Sequence, residues 1–242
     1  MGTPLRYHDN GYRLEGYLAV TPSAVAAPGV LLVPTWLNVC EPICKRADRL
    51  AELGYAVVVT DLFGVGIRPK PPQLPEEVVA PFLRDRLRFR QRLLASLKAL
   101  QSLPQCDAHR IAAIGYCLGG CGVLELARAG APIRGVVSLH GILNTSLPAQ
   151  PNSVAAKILV LHGDADPLAP FDEMVVFREE MRAAQANWQI DIYGGAQHSF
   201  TGEGILEKGG SEPALHPQSE LRSWRATLEF LQEVLDVGGN GR

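Results

Sequence analysis

The sequence predicts an α/β fold in which a mostly parallel, twisted sheet carries helices on both faces. Three observations point there. Short runs rich in Val, Ile, Leu and Ala alternate with longer stretches of helical periodicity along almost the whole chain, the order expected of strand, helix, strand units. Several of the short runs are apolar at nearly every position, as strands buried on both faces require. Turns carrying Cys, Asp and His follow strands, and open parallel sheets collect their reactive groups at the carboxyl ends of strands.

Taken in order, Pro4–Tyr7 and Arg13–Val20 flank Asp9-Asn10-Gly11 and read as an antiparallel hairpin at one edge. Strands follow at Val30–Pro34, Ala56–Thr60, Arg110–Ile114, Gly135–Leu139, Lys157–Leu161 and Gln189–Tyr193. Helices are expected over Glu41–Leu53, Pro81–Leu103, Leu118–Ala129, Phe171–Ala184 and Pro217–Leu235. The last is the clearest, because Leu221, Trp224, Leu228, Leu231 and Leu235 keep helical spacing and Pro217 suits a first turn. With no internal repeat and no long linker, residues 1–242 are expected to form one domain, with a flexible tail from about 237 to 242.

Composition narrows the function classes. Apolar residues at 47% with mean hydropathy near zero describe a globular chain able to bury a core. Twenty-three basic residues against 25 acidic leave a charge of −2, which argues against a nucleic-acid or anionic-membrane partner. The opening residues lack the apolar run of a secretory signal and no segment reaches the length of a membrane span, so a cytoplasmic location is expected. Five cysteines form an odd set without metal-knuckle spacing, and most are expected to be reduced and buried. His140, His162 and His198 share no metal-ligand spacing either, so neither a metal nor another cofactor is expected.

The chemistry-bearing residues stand after three strands. Gly115-Tyr116-Cys117-Leu118-Gly119-Gly120 follows Arg110–Ile114 and opens a helix, which is the pattern of a nucleophile elbow with sulfur in place of a hydroxyl. Such a turn forces its central residue into a strained conformation, and Gly115 and Gly119 supply the small neighbours it needs. The helix dipole there favours thiolate, the reactive form. Next, His162-Gly163-Asp164-Ala165-Asp166-Pro167 follows Lys157–Leu161, and Gln197-His198-Ser199-Phe200 lies just beyond Gln189–Tyr193. Taken alone, Cys117 reads as a small buried residue, Asp166 as a turn former and His198 as an ordinary loop histidine. Their order after successive strands turns the reading toward a nucleophile, an orienting acid and a base.

These pieces, GYCLGG at 115–120, GDADPLAP at 163–170 and AQHSF at 196–200, together with Asp61-Leu62-Phe63-Gly64, resemble the dienelactone hydrolases, a branch of the α/β-hydrolases that uses cysteine. The resemblance runs over essentially the whole chain. It implies an α/β-hydrolase fold, with Cys117 as nucleophile, His198 as base and Asp166 as the acid that orients it, Asp164 being the competitor for that last role. The oxyanion hole is expected from the backbone N–H groups of Leu118 and Trp36. Two departures stand out. Lactone-cleaving members carry a glutamate where this chain has Thr35 and an arginine four residues beyond the histidine, where this chain has Gly202. Activation therefore rests on His198 and the helix terminus, and the bidentate anchor for a substrate carboxylate is missing at that point.

The implied reaction is hydrolysis of a small-molecule ester or lactone through an acyl-cysteine. The rivals are a thioesterase or acyl transferase with the same triad, and a non-catalytic sensor of a small lactone. Thr35, Phe63, His140, Ile142 and Phe200, with Trp36, are expected to line the pocket. The alternating Arg84, Arg86, Arg88, Arg90 and Arg92 read as a solvated helix flank opposite a core face of Leu83, Leu87, Leu94 and Leu97, although Arg84 or Arg88 could meet an anionic substrate. Cys40 and Cys44, like Cys117 and Cys121, are four apart, and packing explains them better than a redox switch. Oligomeric state is open.

Overall fold

Thr3–Asp9 (β1) and Tyr12–Ala19 (β2) pair antiparallel across a turn at Asn10 and Gly11, both with positive φ, as the sequence predicts. The computed structural model describes residues 2–23, 25–70, 76–202 and 215–235; the tail expected to be flexible, 237–242, lies outside them. The remaining strands are Ala27–Val33 (β3), Ala56–Val59 (β4), Cys106–Tyr116 (β5), Gly135–Leu139 (β6), Lys157–Gly163 (β7) and Trp188–Tyr193 (β8). They join the hairpin in one eight-stranded sheet of order β1-β2-β4-β3-β5-β6-β7-β8. The β2–β4 pair is antiparallel, and every pair from β4 onward through β8 is parallel. This is the α/β-hydrolase architecture.

The helices are Glu41–Glu52 (α1), Glu76–Arg84 (α2), Arg86–Gln101 (α3), Leu118–Arg128 (α4), Phe171–Ala183 (α5) and Pro217–Leu235 (α6). Strand alternation divides the core between two faces. Leu31, Val33, Ala113 and Val136 pack with Phe89, Leu93 and Leu97 of α3, Val123 of α4 and Phe177 of α5. Their neighbours Val30, Leu32, Ala112 and Val137 pack with Ile43 and Leu50 of α1 and Trp224 and Leu231 of α6. Parallel pairing in register, Val33 beside Gly115 and Tyr116 beside Leu139, brings the carboxyl ends of the central strands to one edge.

Two helical expectations are corrected. The single helix expected over Pro81–Leu103 is two, α2 and α3, broken at Asp85, whose carboxylate accepts the Arg88 N–H at 3.0 Å as an N-cap. Restarting the helix there rephases it. Phe89, Leu93, Leu97 and Leu100 are buried, whereas Leu87 and Leu94 are exposed. The α3 arginines are likewise no solvated flank, since Arg86 and Arg92 are buried. In α6 the buried stripe runs through Trp224, Thr227, Leu231 and Leu235, and Leu221 is exposed.

Buried charge beneath α4 accounts for those arginines. Glu125 of α4 is fully buried and meets Arg90 at 2.8 Å and Arg128 at 3.2 Å, with Arg86 at 3.9 Å. Arg128 continues to Glu180 of α5 at 2.8 Å and donates to the Leu143 carbonyl. Arg92 reaches back to Asp9 at 2.8 Å and to the Leu62 carbonyl. The ions fix α3, α4, α5 and the first hairpin relative to one another.

Candidate active site

At the β5–α4 junction, Cys117 adopts φ 53° and ψ −113°, a conformation that L residues rarely hold. The glycines around it permit the turn. A Cβ on Gly115 would come within 2.0 Å of the Gly119 carbonyl oxygen, and one on Gly119 within 2.1 Å of the Val33 carbonyl oxygen. Gly120 in turn packs against Gly141, whose Cα would lie 2.8 Å from an added Cβ. The elbow is therefore clamped between the end of β3 and the loop after β6. Its cysteine stays partly accessible.

The turn after β7 and the turn after β8 close around each other. The Asp164 N–H donates to the Tyr193 carbonyl and the Ala165 N–H to the Ala196 carbonyl, both at 3.0 Å. This closure leaves Asp164 exposed and aims Asp166, only 4% exposed, inward. Asp166 accepts the Leu168 N–H at 2.9 Å through Oδ1, and its Oδ2 lies 2.9 Å from His198 Nδ1. His198 Nε2 lies 3.0 Å from Cys117 Sγ. Side chains 81 and 32 positions from His198 thus meet its two ring nitrogens. Burial alone would disfavour imidazolium; hydrogen bonds to Asp166 and Cys117 outweigh it and push the His198 pKa up to about 10.

The chain carries four further cysteines, Cys40, Cys44, Cys106 and Cys121. The five form no disulfide. Burial pushes the thiols of Cys106 and Cys121 up to about 11 and that of Cys44 to about 12, where they are protonated at neutral pH. Cys121, buried on the elbow helix α4, accepts from Arg86 Nη1 at 3.2 Å.

Leu118 is the first residue of α4, so its N–H has no acceptor within the helix. The loop after β3 is set by a buried polar cluster. Thr35 Oγ1 accepts the Leu37 N–H at 3.2 Å, and Asn38, at φ 59°, donates to Asp61 Oδ1 at 2.7 Å and to the Ile67 carbonyl while accepting the Leu62 N–H. Asp61 also takes N–H groups from Glu15, Phe63 and Gly64. Tyr7 donates or accepts at Ser96 and accepts the Asp61 N–H. Sequence reasoning missed Asn38 and Tyr7; the available signal was an Asn in an otherwise apolar stretch, one turn upstream of a helix.

The expected pocket lining divides in two. Trp36 and Ile142 are partly exposed and can present surface to a ligand. Thr35, Phe63, His140 and Phe200 are buried. Phe63 packs on Phe82, and Phe200 packs on Tyr193 and His140. His140 has no exposed surface and so presents none to a ligand; its ring nitrogens face the Cys117 N–H at 3.2 Å and Thr201 Oγ1 at 2.7 Å. Arg84 and Arg88 are exposed, with Arg88 stacked on Phe82. Among the described residues, no cluster of three or more His, Cys, Asp or Glu is placed to hold a metal ion, and no helix is long and apolar enough to cross a membrane.

The chain is similar to known proteins over most of its length. A Bradyrhizobium protein named "Probable 2-oxo-3-(5-oxofuran-2-ylidene)propanoate lactonase" is 26% identical over 232 residues, covering 92% of this chain and 90% of its own. A mouse carboxymethylenebutenolidase homolog is 27% identical over 157 residues, 64% of this chain and 62% of its own. Among solved structures, a dienelactone hydrolase-like promiscuous phosphotriesterase from metagenomic libraries superposes with a TM-score of 0.89 at 31% identity, covering 97% of this chain and 98% of its own. The family model of the dienelactone hydrolases matches residues 14–235, and the chain belongs to that family.

Proposed function

We propose that the chain hydrolyses a small-molecule ester or lactone through an acyl-cysteine intermediate. The observation that carries the reading is the line of contacts from Asp166 through His198 to Cys117, at 2.9 and 3.0 Å. The thiol proton has already passed to His198 Nε2, which holds it up to about pH 10, and the sulfur adds to the substrate carbonyl carbon. The oxyanion develops toward the N–H groups of Leu118 and Trp36, each such donor contributing about 3–4 kcal/mol in the transition state. Collapse breaks the C–O bond, and the imidazolium returns its proton to the leaving alkoxide, which stays tethered when the substrate is a lactone. Water, deprotonated by His198, then attacks the thioester and releases the acid and the thiol. Asp166 holds the imidazole in the tautomer with Nδ1–H and stabilises its cationic form.

With Gly202 four residues after the histidine, and Arg90 and Arg92 of α3 engaged by Glu125 and Asp9, uncharged substrates are favoured over those that carry a carboxylate. Thiol chemistry of this kind suits the reducing cytoplasm. The test combines two readings on one aryl ester: a burst of one phenolate per chain, and an acyl adduct on the Cys117 peptide found by mass spectrometry. Both should vanish in Cys117→Ala. Equal turnover in that variant overturns the reading, and equal absence in both proteins across a panel of acyl chains favours the lactone-sensor alternative. Added amine that diverts the acyl group identifies a transferase. One further activity is favoured by the likeness to the metagenomic phosphotriesterase: attack of the same sulfur on an aryl phosphotriester, assayed by phenolate release with the same variant as control.

A further inference from the structure

His140 stands on the loop after β6, at φ 39°, and is buried completely. Such backbone is costly for a residue with a branched ring, and a position that holds it is over-determined by its surroundings. Those surroundings are specific. The ring meets His198 edge-on at 5.2 Å, with Tyr116 at 6.0 Å and Phe200 at 5.3 Å. Its Nδ1 lies 3.2 Å from the backbone nitrogen of Cys117, whose N–H is shared with the Leu139 carbonyl at 3.0 Å. Its Nε2 lies 2.7 Å from the hydroxyl of Thr201, which is only 6% exposed and sits three residues beyond His198.

Two N–H groups cannot face each other at that separation, so Nδ1 is the acceptor and the proton of His140 resides on Nε2, where it donates to Thr201. We infer that His140 is a positioning residue which ties the backbone of the nucleophile, through Thr201, to the loop that carries the base, and so sets the Cys117–His198 approach. The inference rests on Cys117 and His198 acting as proposed above. A neutral ring is required for this role. Burial, and then repulsion from His198, hold His140 well below the ordinary histidine range. The site thereby keeps one imidazole neutral beside one that becomes cationic, and the proton is not diverted to the wrong ring.

The link can be cut without changing shape. Thr201→Val removes the hydroxyl and keeps the volume, whereas Thr201→Ser keeps the hydroxyl and loses a methyl. The expected result is a roughly threefold to tenfold lower kcat in the valine variant, the range that one neutral hydrogen bond carries. KM should stay within twofold, and the serine variant should recover most of the loss. Wild-type kcat in Thr201→Val, or equal impairment in Val and Ser, overturns the inference. Nitrogen NMR of the histidine-labelled wild-type chain reads the same arrangement without any substitution. A neutral His140 with its proton on Nε2 from about pH 6 to 9 supports it; a proton on Nδ1 overturns it. Turnover that survives in Cys117→Ala marks failure of the nucleophile reading itself, whereas an inactive Cys117→Ala beside a fully active Thr201→Val marks failure of the positioning role alone.

Discussion

Replacing Gly119 by alanine tests whether the elbow and the loop after β3 act as one machine. The added Cβ would lie 2.1 Å from the Val33 carbonyl oxygen and 2.6 Å from that of Pro34. Both obstacles are backbone, and contacts below 3.0 Å do not persist, so the start of α4 and the end of β3 must part by about 0.9 Å. Those two segments carry Leu118 and Trp36, the proposed oxyanion donors. Misplacement on the order of 1 Å at a reacting centre can cost about a hundredfold in rate, and a strained insertion into packed backbone typically costs about 1–3 kcal/mol of stability. The expected outcome is a kcat lowered about a hundredfold on an aryl ester, with a smaller fall in the urea midpoint. Alkylation of Cys117 by iodoacetamide should change far less, because it needs the sulfur and not the oxyanion hole. Gly194→Ala is the control, since nothing lies within 4 Å of a Cβ there. A Gly119→Ala enzyme within twofold of wild-type kcat would refute the argument that these amides bind the developing charge.

Asp166→Asn leaves the shape of the acid but removes the charge facing His198 Nδ1, and should lower kcat roughly a thousandfold on the same ester. The same variant tests the linkage of stability to pH. A histidine raised to about 10 contributes stability that is complete below its unfolded value near 6.5 and is lost as pH rises through 10, so the urea midpoint should fall between about pH 7 and 10 in wild type and fall less in Asp166→Asn. Cys117→Ser should lose most of its esterase activity, because a hydroxyl yields its proton to His198 far less readily than a thiol; unchanged kcat there would count against thiolate chemistry. Glu125→Ala strands Arg86, Arg90 and Arg128 without their shared carboxylate and should cost about 3–5 kcal/mol in urea unfolding.

Strands were legible because a strand covered on both faces must be apolar throughout, and β4, β6 and β7 obey that rule with little interruption. The turn at Cys117 was legible for a different reason: its geometry tolerates so few residues that Gly115 and Gly119 announce it. Asp166 and His198 were readable from their places after successive strands, although only coordinates bring them within 3 Å of a common partner line. What escaped was everything set by phase or by long-range charge. One capping carboxylate at Asp85 rotates α3 and exchanges exposed leucines for buried arginines. No local pattern announces that Glu125 will receive them. The same holds for His140, whose partners, Cys117 and Thr201, are 23 and 61 residues away.

The fate of those arginines bears on substrate choice. A guanidinium selects a carboxylate only while its own charge is uncommitted. Arg90 is bound by Glu125, Arg92 by Asp9 and Arg68 by Asp61 with carbonyls of Glu15 and Gly64. Each of these pairs steadies a backbone segment that shapes the site: the elbow helix, the first hairpin and the loop beside Asn38. These three positive charges are thus spent on holding the backbone around the site rigid, and rigidity is what a strained cysteine and an oxyanion hole built from main-chain N–H groups demand. Lactones with and without a free carboxylate, compared at equal ring strain, should therefore show the uncharged member with the higher kcat/KM. A preference of tenfold or more for the carboxylate-bearing lactone would mean that a cation outside these pairs grips the substrate.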